Sequence, residues 1–133
     1  MSPAPLSRPL TITVWLAQLV AAVILGSAGL GKLTGNHDAV VLFTTLGVEP
    51  WGRVTLGTVE VATALLLLWP RTAGWAALLA MVLMTGAIAT HLFKIGVVYN
   101  GDASLFVMAL IVFVAAATTA YLRLVRGAAT APQ

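Results

Sequence analysis

The sequence predicts an all-α, polytopic membrane protein. The expected architecture is a bundle of four transmembrane helices with a short amphipathic surface helix in the first outer loop. Three observations carry this expectation. Of the 133 residues, 60% are hydrophobic and 8% are charged, whereas a soluble domain carries about 25% charged residues. The mean hydropathy of +1.02 agrees. So few polar side chains cannot cover a water-facing surface, which leaves lipid as the solvent. Second, four apolar runs alternate with polar breaks, and a spanning helix needs roughly 20 mostly apolar residues. Third, Trp51 and Trp69 stand 18 residues apart, about 27 Å along a helix. That separation matches two interfacial aromatic belts.

The spans follow in order within a single domain covering residues 1–133. The first is 10–30. Its apolar stretch exceeds the usual signal-peptide core of about 7–15 residues, although Gly26, Ser27 and Ala28 leave a cleaved signal as the alternative. The second is 50–69, where Pro50 suits a first helical turn because its missing N–H is not required there. The third is 73–93, with Trp75 near its start. The fourth is 104–122, with Tyr121 near its end. Pro70–Arg71–Thr72 reads as a tight inner turn that makes the second and third spans antiparallel neighbours. Residues 94–103 form a modest outer loop. The longer outer loop, 31–49, contains NHDAVVLFTTLG. Asn36 or Asp38 can cap a helix there, Val40, Phe43 and Leu46 repeat at helical spacing, and Gly47 can end it. Such a helix would lie on the outer membrane surface. The tails 1–9 and 127–133 are rich in Pro, Ala and Thr and are expected to fray.

The charges are 7 basic against 4 acidic residues, a net +3, and they are scattered singly. Nothing resembles a nucleic-acid footprint. The absence of cysteine excludes disulfides, thiolate nucleophiles and cysteine-ligated clusters on this chain. Four spans place both termini on one side, with Arg8, Arg71, Arg123 and Arg126. Lys32, Arg53 and Lys94 fall on the other. The excess of arginine puts the termini in the cytoplasm.

The polar residues gather in the outer half. Lys32 ends the first span, Arg53 and Glu60 lie in the second, and His91 lies near the end of the third. Tyr99, Asn100 and Asp102 sit in the loop that follows and can contribute to the same region. Arg53 and Glu60 are two turns apart, about 10 Å, on one helix face. Gly57 lies between them, where a neighbouring helix or a ligand can approach closely. An ionisable group in a span costs a few kcal/mol on insertion scales. Glu60 is therefore expected to face the bundle interior and to meet Lys32, Arg53 or His91. Two readings stay open. Glu60 is either structural glue between helices or part of a ligand or proton site. His91 is likewise either an interfacial residue bonded to a loop carbonyl or a titrating group. Lys32 and Lys94 also fit topological anchors, and His37 is a loop residue. Two histidines in this arrangement make neither a zinc site nor a bis-histidine haem site. No metal is therefore expected, and no cofactor is intrinsic to the chain. The sequence has no Walker loop, dinucleotide fingerprint or nucleophile elbow, so a subunit or binding module is expected rather than a stand-alone enzyme.

Three ordered pieces, GSAGLGKLTG (26–35), LGVEPWGRVTLGTVEVATALLLLWPRTAG (46–74) and MTGAIATHLF (84–93), bring a family into view. The chain resembles the DoxX family of small four-helix membrane proteins over roughly residues 10–122. The resemblance implies a multi-pass protein of the bacterial inner (plasma) membrane, linked to redox-associated complexes that work with thiosulfate and quinone. Lys32, Glu60 and His91 look like the family's recurrent polar residues. Two functional readings follow. In the first, the chain is an accessory subunit of an oxidoreductase complex. It holds a quinone or similar amphiphile in its outer half, at Glu60, His91, Lys32 and Arg53, beside a membrane or periplasmic redox partner. In the second, it is a non-catalytic lipid- or hydrophobe-binding, scaffold or assembly protein. Both place the chain in the lipid bilayer and are compatible with a homo-oligomer.

Overall fold

A computed structural model of the chain describes residues 5–127. Helix α1 spans Arg8–Leu33 and outruns the expected span at both ends. Pro9 sits in its first turn, where a missing N–H removes no internal bond. Helix α2 spans His37–Thr45, and the Asn36 side chain caps it by accepting from the Asp38 N–H at 3.0 Å. Phe43 is its buried residue, with Val40 and Leu46 half-buried on the same side. Helix α3 spans Trp51–Leu67, with Pro50 at its N-cap.

Helix α4 spans Pro70–Thr90 and continues through a π-helical turn, His91–Ile95, to Gly96. The link between α3 and α4 is tighter than the expected Pro70–Arg71–Thr72 turn. Only Leu68 and Trp69 join them, because Pro70 already serves as the first residue of α4. The Thr72 hydroxyl donates to the Leu66 carbonyl at 2.7 Å, satisfying one of the acceptors that a helix end leaves open. Helix α5 spans Ser104–Ala120 and runs on through a π-helical turn, Tyr121–Arg126. The expected fraying of 1–9 and 127–133 falls largely outside the described residues. Within them, Arg8 and Pro9 are helical.

The four long helices pack in a closed ring, α1–α3–α4–α5 and back to α1, and α2 lies against α1 and α3. Alanine dominates the buried interior, with Ala21, Ala64, Ala77, Ala80 and Ala116 among the core residues. Small residues let apolar helices approach where lipid offers no competing hydrophobic drive. Large aliphatic side chains such as Leu16, Val23, Leu65, Val82 and Val114 point outward. A helix apolar on every face belongs in lipid or in a large core. Among the described residues, three helical stretches, Arg8–Leu33, Pro70–Ile95 and Ser104–Arg126, are long and apolar enough to cross a membrane. Helix α3, at 17 residues, is shorter.

Candidate functional site

The site begins where α1 crosses α3. A Cβ on Gly29 would lie 2.9 Å from the Gly57 carbonyl oxygen, and a Cβ on Gly57 would lie 3.0 Å from that of Gly29. Each glycine fits because the other backbone occupies the space. This close approach brings the end of α1 onto the face of α3. There Lys32 Nζ donates to Glu60 Oε2 at 2.8 Å. Glu60 is 4% exposed, so the ammonium compensates a carboxylate that would be costly alone. Of the three partners expected for Glu60, Lys32 is the one it meets.

Arg53 goes elsewhere. Its guanidinium forks onto Glu49, with Nη2–Oε1 at 2.8 Å, and Nη1 donates to the Lys32 carbonyl. Glu49 lies one turn away and Glu60 two, so the nearer carboxylate takes the arginine. Arg53 therefore ties the α3 start to the α1 end.

His91 is 5% exposed and sits at the start of the π-helical turn. Its Nδ1 lies 2.9 Å from the Gly96 carbonyl oxygen. A carbonyl only accepts, so this bond assigns the proton to Nδ1 and leaves Nε2 as an acceptor in the neutral ring. Phe106 holds the ring edge-on, with centroids 5.6 Å apart. Lys32, Glu60 and His91 all line one cavity of about 440 Å³, whose other walls are mainly aliphatic. All five helices contribute: Leu25, Phe43, Leu56, Met84 and Met108 are examples. Arg53 is not among the lining residues.

Tyr99, Asn100 and Asp102 line a second, more polar cavity of about 470 Å³ that also includes Lys32. Tyr99 and Asp102 exchange both backbone bonds across a two-residue turn. Asn100 and Gly101 have φ of 52° and 76°, the positive values that a type I′ turn requires and that Asn-Gly favours. Asp102 then accepts from the Ser104 N–H and hydroxyl, each at 2.8 Å. These bonds hold its carboxyl below the ordinary value of 3.8.

A further polar group lies at the opposite end. Gln18, fully buried, donates to the Leu67 carbonyl at 2.7 Å and accepts from Arg123 Nε at 2.8 Å. The Arg123 guanidinium stacks over Trp15, 5.5 Å from the ring centre. No spacing in the sequence links Gln18 to these partners, which come from α3 and from the turn after α5. Among the described residues no group of three or more His, Asp or Glu side chains is arranged to hold a metal ion.

An all-helical chain with three stretches of spanning length, whose buried charges collect in an apolar cavity, is an integral membrane protein of the small-bundle class. The model of the DoxX-like family matches residues 16–119. The chain belongs to the DoxX-like family, and the match takes in Lys32, Glu60 and His91. No match was found among curated proteins or among solved structures.

Proposed function

We propose that the chain is a four-span binding subunit of the bacterial inner membrane that holds a quinone or similar small amphiphile, as an accessory to a redox-linked membrane complex. The observation that carries this reading is the convergence of Lys32, Glu60 and His91 on one apolar cavity. Its volume of about 440 Å³ suits a small-molecule site, and such sites pair apolar walls with a few placed polar groups. His91 Nε2 accepts from a ligand hydroxyl or holds a proton released there, Lys32 donates to a ligand oxygen, and Glu60 balances the ammonium. A bound quinone supplies the redox chemistry that these side chains lack.

Four spans are supported by parity. Gln18 bonds at the Leu67 end of α3 and Lys32 bonds to Glu60 near its other half, so α3 retraces α1 in reverse. With α1 and α4 both crossing, this antiparallel run supports reading α3 as the span between them. The arginine distribution then supports cytoplasmic termini. A reporter fused after Gln133 and active only outside the cell would invert this topology.

The completed ion pair favours a second reading. Glu60 already has a partner at 2.8 Å, so the pair can fix geometry while the cavity holds a lipid without any proton movement. The test is to purify the protein in nanodiscs and extract what it carries. A stoichiometric quinone, lost in Glu60→Gln and His91→Leu, supports the first reading. A retained lipid indifferent to Glu60→Gln supports the second. No retained molecule and no saturable binding of decylubiquinone overturns both.

A further inference from the structure

The two cavities share Lys32 and Phe43, yet their linings differ in kind. One is mainly aliphatic. The other gathers Asn36, Asp38, Tyr99, Asn100, Asp102 and Ser104. We infer that the two form one bipartite site, in which an uncharged, hydroxyl-bearing headgroup sits in the polar chamber and its single apolar tail passes Lys32 into the aliphatic one. This rests on reading the aliphatic cavity as a ligand site, and it deepens the second reading above, a retained lipid, rather than the quinone.

The headgroup class follows from which polar groups are already used. The Lys32 ammonium is bonded to Glu60, and both Asp102 carboxylate oxygens are bonded to Ser104. Asn36 spends its carbonyl oxygen on the Asp38 N–H. The Asn36 amide donors, the Asp38 carboxylate and the Tyr99 hydroxyl make no hydrogen bond to other described residues. Both donors and acceptors therefore remain, and hydroxyl groups on a ligand satisfy both kinds. An anionic head would face two carboxylates beside a lysine that is already neutralised. A cationic head would meet the Asp38 and Asp102 carboxylates, but both are exposed to solvent, where ion pairs contribute little.

The tail has room because one wall is open. A Cβ on Gly86 meets nothing within 4 Å, and Val82, one turn before it, lines the cavity while 67% exposed. The aliphatic chamber therefore opens sideways along the Val82–Gly86 face of α4, and a chain can reach the lipid through that gap.

The experiment uses the full chain in phosphatidylcholine nanodiscs, with affinities expressed as mole fraction in the disc. The probes share one tail: decyl glucoside, 1-decanol, decylammonium and decanoate. Decyl glucoside should bind about tenfold more tightly than 1-decanol. The double variant Asp38→Asn/Tyr99→Phe should remove that difference and leave 1-decanol unchanged. Gly86→Leu, whose Cβ enters open space at the cavity wall, should weaken both. Equal binding of glucoside and alcohol overturns the polar chamber, while sensitivity of both to Gly86→Leu keeps the apolar site intact. Tighter binding of either charged probe overturns the headgroup class. Absence of saturable binding by any probe overturns the underlying site, and the inference with it.

Discussion

Gln18 and Arg123 are 105 positions apart in the chain and 2.8 Å apart in space. The same glutamine donates to the Leu67 carbonyl, so one buried amide joins α1, the end of α3 and the turn that extends α5. This clasp lies at the end of the bundle remote from the Lys32–Glu60 pair. Lipid offers no replacement partner to a freed amide or carbonyl, so the clasp and the ion pair hold α1 against α3 at both ends.

Gln18→Leu keeps the side-chain volume and strands both the Leu67 carbonyl and Arg123 Nε. Leaving a buried polar group unpaired costs about 1–3 kcal/mol. The variant should unfold at a lower temperature or detergent fraction than the parent, with ligand binding retained. Unchanged unfolding would show that the clasp contributes no stability.

Glycine substitutions should divide by position. Gly29→Ala and Gly57→Ala each place a Cβ about 3 Å or less from backbone atoms of the opposing helix. Both should separate α1 from α3, lower the unfolding temperature and weaken the ion pair beside them. Gly86→Ala meets open space and should be neutral or stabilising by up to about 1 kcal/mol, as expected in a helix interior. Thermal unfolding of the three variants checks the order.

The ion pair should show strong non-additivity. Lys32→Met leaves the Glu60 carboxylate buried without its cation, and breaking a buried pair on one side costs about 3–5 kcal/mol. The double variant Lys32→Met/Glu60→Leu removes both charges and should recover most of that loss. A thermodynamic cycle over the singles and the double measures the coupling. If the singles add, the pair is not a stabilising unit.

The turn before α5 should weaken in acid. Asp102 is held below its ordinary value of 3.8 by the Ser104 N–H and hydroxyl. The bonds favour the charged form, so their contribution is complete above 3.8 and is lost as pH falls through the lower folded value. Protection of the Ser104 amide, relative to its intrinsic exchange rate at each pH, should fall over that acidic window, and Asp102→Asn should remove this fall. Protection in the parent that does not change with pH would refute the role of the carboxylate.

Composition made the all-helical membrane class legible, because lipid demands long apolar helices with internally satisfied backbones. The helix within 36–47 was legible from its cap and its periodicity, and the helix at His37–Thr45 follows that pattern. Expectation and structure part where a local competitor wins. Pro70 reads as a turn residue, yet the same fixed backbone angle makes it a helix opener. Arg53 shares a face with Glu60, but Glu49 is nearer. The Asn-Gly turn at 100–101 carried a readable signal that hydropathy obscured. The Gln18–Arg123 clasp had none, since pairing across 105 positions is a product of tertiary packing.

Every helix contributes a wall to the aliphatic cavity, and this has a thermodynamic corollary. A molecule seated there binds only the assembled bundle, because no single helix presents the site. Occupancy and folding are then linked by mass action. A ligand at 100 times its dissociation constant adds about 2.7 kcal/mol to unfolding, a large fraction of the stability of a small domain. An occupant would act as a keystone, and its supply in the membrane would raise the stability of the assembled protein.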